Sequence, residues 1–134
     1  MILKLGEIPD LIKSMNNLID KELPIKIAYK LKKMYQKLES EARIYEENRI
    51  KLLDKYGKKD DKGEFIVENN KIIIPDDRKE DFLKEFEELQ EIEVEFDFEP
   101  IKETEIKDLK ISASDLMNLD KVIEFIEVSD DKEE

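Results

Sequence analysis

The sequence predicts an α+β protein, with a long helical hairpin, a small antiparallel sheet and two shorter helices. Three patterns lead to this fold class. Apolar and aromatic residues repeat at spacings of four and three between Pro24 and Tyr56, as along one stripe of a helix. Residues 91–99 alternate between acidic and apolar side chains, as on a half-buried strand. Two β-branched runs flank Asn69 and Asn70, as in a two-residue hairpin.

The long helix is expected to run unbroken from Pro24 to Tyr56, with Gly57 as a left-handed cap. A helix of this length spans about 50 Å. A compact domain of 134 residues is only about 36 Å across. Either a partner covers the overhang along a seam of coiled-coil type, or the stripe packs on the chain's own elements. The residues expected to face a partner are Tyr35, Ala42, Tyr45, Arg49, Leu52 and Tyr56.

Local patterns predict the shorter elements. Residues 1–5 form a short strand, and a further strand is expected around Leu109–Ile111. Ser112 opens the C-terminal helix, with Ile123 and Ile126 on its apolar stripe. The predicted order is a helical hairpin over residues 8–56, a β-hairpin over 64–74, a helix over 77–90, a strand over 91–99 and a C-terminal helix over 113–126, all in one domain of residues 1–128 followed by an acidic tail over 129–134.

The composition argues against most enzymatic chemistry. The chain has no cysteine and no histidine, which removes disulfides, thiolate zinc sites, the cysteine nucleophile and the commonest general base together. Its three glycines form no phosphate-binding loop. In the Asp-rich turn at residues 58–63, Lys58 and Lys62 stand where the ligands of a calcium loop belong. We therefore expect no enzymatic activity, no cofactor and no bound metal.

Charge is divided unevenly along the chain, whose formal net charge is −12. Residues 21–62 carry 13 Lys and Arg against eight Asp and Glu, a net +5. Residues 63–134 carry nine against 25, a net −16. No apolar run approaches about 18 residues and no signal-peptide pattern is found. The sequence therefore predicts a cytoplasmic protein that does not enter the membrane.

Several segments of the chain share the character of one protein family. They are MILKL with the amphipathic helix after it, the lysine-rich start of the long helix, EENRIKLLDKYGKKDDKGEF, NNKIII and FLKEFEELQEIEVEFDF. Together they cover most of residues 1–98 and resemble small phage- and prophage-encoded proteins from Gram-positive hosts, a family of no established function. The resemblance implies a viral or prophage origin, and a host-cell cytosolic location, and it identifies no catalytic residue.

A row of carboxylates is the most distinctive feature of the predicted strand over residues 91–99. Side chains on one face of a strand lie about 6.6–6.8 Å apart. This spacing is close to two base-pair rises of about 3.4 Å each. The row is therefore suited to imitating a nucleic-acid backbone in a basic groove. The alternative is a solvated outer face that protects a sheet edge from pairing. The row consists of Glu91, Glu93, Glu95, Asp97 and Glu99.

A basic face at the start of the long helix is the natural candidate for direct nucleic-acid binding. The acidity of the whole chain argues against that use. The alternative is a solvated face that pairs with acidic residues of the sheet. The lysines concerned are Lys26, Lys30, Lys32, Lys33 and Lys37.

These observations favour a non-enzymatic protein that binds a host or phage protein, or a second copy of itself, through its long helix. Virion assembly and host takeover are the settings that a phage origin implies. The second hypothesis is an acidic inhibitor that mimics nucleic acid and blocks a host defence enzyme, of anti-CRISPR or anti-restriction type.

Overall fold

Helices dominate the fold, and the strands are short. In this computed structural model, which describes residues 1–125, the α+β class is confirmed. Ile126 and the predicted acidic tail lie outside the described residues. The helices and strands, in chain order, are β1 (Ile2–Lys4), α1 (Ile8–Ile19), α2 (Ile25–Tyr56), β2 (Val67–Glu68), β3 (Lys71–Ile72), α3 (Lys79–Gln90), β4 (Glu93–Glu95), β5 (Ile101–Lys102), α4 (Ala113–Leu119) and β6 (Ile123–Glu124).

Within the span expected as one domain, the described residues form two compact units. The first unit contains Met1, Pro9–Glu39 and residues 96–125. The second unit contains Ile2–Ile8 and Ser40–Glu95. Helix α2 contributes its N-terminal half to the first unit and its C-terminal half to the second.

Helix α2 is a single helix of 32 residues, as the sequence predicts. Its inner stripe is buried in both units. Leu31, Met34 and Leu38 are fully buried in the first unit, and Tyr45 and Tyr56 are each only 6 % exposed in the second. Elements of each unit therefore cover the half of the helix that belongs to it. The length of the helix does not by itself require a partner.

The first unit differs from prediction near its C-terminal end. Helix α4 begins after Ser112, whose hydroxyl accepts a hydrogen bond from the Asp115 amide as expected of an N-cap. It ends at Leu119 rather than at residue 126. The chain then turns, and Ile123 pairs with Ile101 in a parallel ladder of β5 and β6. This pairing lies at 101–102 and not at the strand expected around Leu109–Ile111.

The second unit shortens the strand predicted over residues 91–99 to β4. Strand β4 pairs antiparallel with β1, with Leu3 opposite Val94. Because β1 has only three residues, it offers no partner for a longer strand. Glu91 instead follows the last turn of α3, and Ile92 is 49 % exposed rather than part of a buried face.

The β-hairpin has the predicted turn. Asn69 and Asn70 adopt φ angles of 52° and 63°, the left-handed values of a type I′ turn, and Val67 pairs with Ile72. The left-handed cap expected at Gly57 is wrong, because Gly63 is the described glycine with a positive φ. A Cβ on Gly57 would lie 2.6 Å from the Leu53 carbonyl oxygen and 2.9 Å from the Phe65 ring. Glycine is needed there for close packing.

The hairpin turn makes a testable prediction. Asn70→Val is expected to lower the free energy of unfolding by about 1–2 kcal/mol, since a branched side chain strains the left-handed conformation. Asn70→Gly, which accepts that conformation without strain, is the matched control and should be at least as stable as the wild type. Chemical denaturation measures both. Equal stability of the two variants would contradict the turn.

Candidate functional site

The six residues expected to face a partner on the long helix have different surroundings. Tyr45 and Tyr56 are buried by the chain itself, so neither ring is available to a partner. Ala42 is half-buried. Arg49 is half-buried too, and its guanidinium makes a bidentate pair with Glu46, at 2.9 Å from Nε and 2.6 Å from a terminal nitrogen. This pair lowers the pKa of the Glu46 carboxyl.

Tyr35 and Leu52, the other two, are half-buried and line open grooves in different units. The groove at Tyr35 has a volume of about 580 Å³ and includes Ile19 and Leu23. The groove at Leu52 has a volume of about 450 Å³ and includes Leu89 and Ile92. The stripe predicted as one continuous partner surface is therefore divided between buried rings and two separate grooves.

Tyr56 illustrates how firmly the second unit holds the end of α2. Its ring meets the edge of Phe82 at a centroid distance of 6.0 Å, and the Arg78 guanidinium lies 5.0 Å from its centroid. A hydrogen bond from its hydroxyl to Glu85 raises the pKa of Tyr56 and lowers that of the Glu85 carboxyl. Lys55 Nζ lies 3.0 Å from the same carboxylate. These contacts stabilise the unit rather than present a surface.

The five carboxylates predicted as one row are all exposed, but they do not share one strand. Glu91, at the end of α3, pairs with Lys4 at 2.7 Å. Only Glu93 and Glu95 lie on β4, with Glu93 opposite Lys4 in the ladder. Asp97 and Glu99 follow the strand and line a groove in the first unit. The regular spacing of a strand therefore applies only to Glu93 and Glu95.

The groove that contains Asp97 and Glu99 also contains four of the five predicted basic residues. Its volume is about 310 Å³. It is lined by Lys26, Tyr29, Lys30, Lys33, Lys37, Asp97, Phe98 and Glu99. Lys32, the remaining lysine of the basic face, lines the groove at Tyr35 instead. We call this the lysine groove.

Two lysines of the lysine groove bind the chain itself. Lys30 Nζ lies 3.1 Å from Glu105 Oε1 and 3.3 Å from the Pro100 carbonyl oxygen. Lys37 Nζ donates a 2.7 Å hydrogen bond to the Asp97 carbonyl oxygen. The pKa of Glu105 is lowered, first by a hydrogen bond from the Lys102 amide and then by Lys30. Lys30 therefore pairs with an acidic residue, although Glu105 follows β5 rather than lying on the sheet, as the alternative expected.

Large apolar side chains are exposed beside the lysine groove. Ile25 is 83 % exposed and Tyr29 is 61 % exposed, one helical turn apart on α2. Lys33 Nζ lies 5.1 Å from the centroid of the Tyr29 ring. Lys26 and Lys33 are exposed, and no carboxylate pairs with either within residues 1–125. This surface combines free positive charge with apolar area.

A polar cluster around the buried Ser14 connects α1 to α4, and the sequence reading missed it. Ser14 is 1 % exposed and its hydroxyl donates to Asp115 Oδ1 at 3.0 Å. Asn17 donates to both oxygens of Asp115, and Asn118 donates to the Ser14 oxygen. The sequence feature that could have indicated this cluster is a serine on the apolar stripe of α1. Because the hydroxyl is inaccessible to substrate, the cluster is structural rather than nucleophilic.

Two kinds of feature are absent from residues 1–125. No three Asp or Glu side chains are grouped as a metal ion would require. In the same range, no helix combines the length and the apolar character needed to cross a membrane.

Comparisons with known proteins identify no relative of this chain, so its function is inferred from the fold and the surfaces. No protein-family model, no characterised protein and no solved structure matches this chain. The resemblance to phage-encoded proteins therefore stays a prediction.

The polar cluster predicts a pH-dependent contribution to stability. Hydrogen bonds, first from Asn17, lower the pKa of the Asp115 carboxyl below its ordinary value of 3.8. A lowered pKa stabilises the fold at pH values above the unfolded pKa, and this stabilisation is lost as the pH falls through the folded pKa. Asp115→Asn should therefore be destabilised at neutral pH, and its deficit should shrink below about pH 4.

Denaturation curves at several pH values measure the deficit. Asp108→Asn, at an exposed carboxylate seven residues earlier in the chain, serves as the control and should match the wild type throughout. A deficit for Asp115→Asn that is constant from neutral to acidic pH would show that the carboxylate charge has no role in the cluster.

Proposed function

We propose that this chain is a non-enzymatic, phage-encoded protein-interaction protein that works in the host cytosol, in virion assembly or host takeover. It docks on a protein partner through the N-terminal half of α2. The observation that carries the proposal is the adjacent exposure of Ile25 and Tyr29, at 83 % and 61 %. Side chains four residues apart lie next to each other on a helix, so the two form one apolar patch.

Covering this patch would contribute favourable free energy to docking. Burying one large apolar side chain contributes about 1.5–3 kcal/mol. Aromatic anchors such as Tyr29 are enriched among the residues that dominate binding energy. The lysines around the patch add orientation and a polar rim, the usual surroundings of an interface core. The composition also weighs against catalysis, since histidine and cysteine are both missing from the sequence.

Site-specific photo-crosslinking tests the proposal. A benzophenone-bearing phenylalanine analogue at Tyr29 should capture one discrete protein in phage-infected cells or in the purified sample. A second copy of the chain would give an adduct of twice 16.0 kDa. Ile25→Asp, which replaces one of the two apolar side chains of the patch by a charge, should abolish the adduct. Ile50→Asp should leave it intact, because Ile50 is an exposed apolar residue, at 53 %, on the other half of the same helix.

The outcome depends on the comparison of the two variants rather than on capture alone. An adduct that survives Ile25→Asp, or that Ile50→Asp removes equally, would contradict docking at this patch. Circular dichroism should show the helix content of the wild type in both variants, since neither side chain is buried.

Nucleic-acid mimicry is the second candidate, favoured by the exposure of Glu93 and Glu95 on one face of β4. The candidate predicts salt-sensitive binding to a basic host enzyme of defence. The double substitution Glu93→Lys and Glu95→Lys should abolish that binding. The matched control, Glu87→Lys with Glu88→Lys, makes the same change in net charge on the exposed face of α3 and should retain it. Equal binding by both double variants would exclude a specific role for β4.

A further inference from the structure

We infer that the lysine groove is a docking site for an acidic peptide segment that carries an aromatic or large aliphatic side chain. The inference deepens the proposed function and rests on it, since it names the kind of partner that meets the N-terminal half of α2. It is carried by the charge of the helix, by the two aromatic rings of the groove and by the volume of the groove.

Positive charge is concentrated on this half of α2. Residues 25–38 contain five lysines and no acidic residue, in a chain whose net charge is −12. The groove lining contains four of these lysines against Asp97 and Glu99, an excess of two positive charges. Lys37 bonds a backbone carbonyl, so its charge is not neutralised by that contact. The surface is therefore electrostatically complementary to carboxylates.

The exposed lysines are placed to receive those carboxylates. Lys30 is held by Glu105 and fixes one wall of the groove. Lys26 and Lys33 are exposed and have no carboxylate partner among the described residues. The ammonium of Lys33 lies over the Tyr29 ring, at 5.1 Å from its centroid. A ligand that places carboxylates beside an apolar group would meet both features at once.

Two aromatic rings provide the apolar part of the groove. Tyr29 is 61 % exposed on α2. Phe98 is half-buried, and its ring packs at 5.4 Å, centroid to centroid, from Phe96, which is only 6 % exposed. The buried Phe96 ring therefore holds Phe98 in position. An aromatic or aliphatic side chain between the rings of Tyr29 and Phe98 would bury apolar area on both sides.

The size of the groove and the charge of the protein favour a peptide over a nucleic acid. At about 310 Å³ the groove is at the small end of ligand sites, which measure about 300–1,000 Å³. This volume accommodates one large side chain. Nucleic-acid affinity depends on neutralising many phosphates along an extended basic surface. A molecule of net charge −12 repels such a polyanion, whereas a short peptide presents few charges near one local excess of lysines.

Fluorescence anisotropy with a defined probe tests the inference. The probe is a short fluorescein-labelled peptide in which glutamates flank a central phenylalanine. The wild-type chain should bind it, and binding should weaken as the salt concentration rises from about 0.05 M to about 0.5 M. Lys26→Glu with Lys33→Glu should weaken binding by about tenfold or more, because two exposed ion pairs become repulsive contacts. Tyr29→Ala should also weaken it.

A matched control distinguishes an effect at the groove from an effect of the change in net charge. Lys13→Glu with Lys51→Glu makes the same charge change at exposed lysines on α1 and on the other half of α2, outside the groove lining. This variant should keep the affinity of the probe within about twofold, since screening limits its effect at a distance. The same peptide with lysines in place of glutamates should not bind. A single-stranded DNA oligonucleotide should bind more weakly than the acidic peptide.

Each of several results would overturn the inference. The first is that the wild type does not bind the acidic probe, and the second is that it binds the lysine peptide. The third is that the two double variants lose the same affinity. The fourth is that the oligonucleotide binds more tightly than the acidic peptide, which would assign the groove to nucleic acid. Failure of the proposed function is distinguishable. If photo-crosslinking at Tyr29 still captures a partner in the variant with Lys26→Glu and Lys33→Glu, the docking patch stands and the acidic-peptide assignment fails. If the probe binds but no protein is captured, the proposed function alone fails.

Discussion

Burial of one stripe along helix α2 supports both compact units. Leu31 and Leu38 belong to the core of the first unit, and Tyr45 and Tyr56 to that of the second. Truncating one buried leucine to alanine typically costs about 2–5 kcal/mol. A small protein has a total stability of only about 5–15 kcal/mol. The stripe is therefore constrained by folding, and the opposite, exposed side of the helix is where the sequence is free to serve a partner.

The division of α2 between the two units also explains why the length of the helix is not by itself evidence of a partner. Helical periodicity identifies which side chains share a face, and that part of the prediction holds from Ile25 to Tyr56. It does not say what covers the face. An element that covers the end of the second half comes from a later part of the chain, since the Tyr56 ring meets Phe82 of α3 at a centroid distance of 6.0 Å. Partner residues chosen from the stripe were therefore partly core residues.

Local signals were sufficient for the hairpin turn at Asn69 and Asn70 and for the cap at Ser112, because a few neighbouring atoms decide both. They were insufficient for strand lengths. The alternation over residues 91–99 is genuine, yet a strand exists only where another segment pairs with it, and β1 supplies three residues. Likewise, the apolar residue Ile123 fits a helical stripe in sequence but pairs with Ile101 in space. Predicting the lysine groove requires the position of Phe98 relative to α2, and no local sequence pattern contains that information.

The polar cluster at Ser14 has a consequence for the order in which the molecule is made. Ser14 and Asp115 are 101 residues apart in sequence, and β1 must wait for residues 93–95 before it can pair. A ribosome adds about 5–20 residues per second, so several seconds separate the synthesis of these partners. During that interval Asp115 is not yet available to Ser14, and residues 93–95 are not yet available to β1. Neither unit can therefore be completed before most of the chain has been translated.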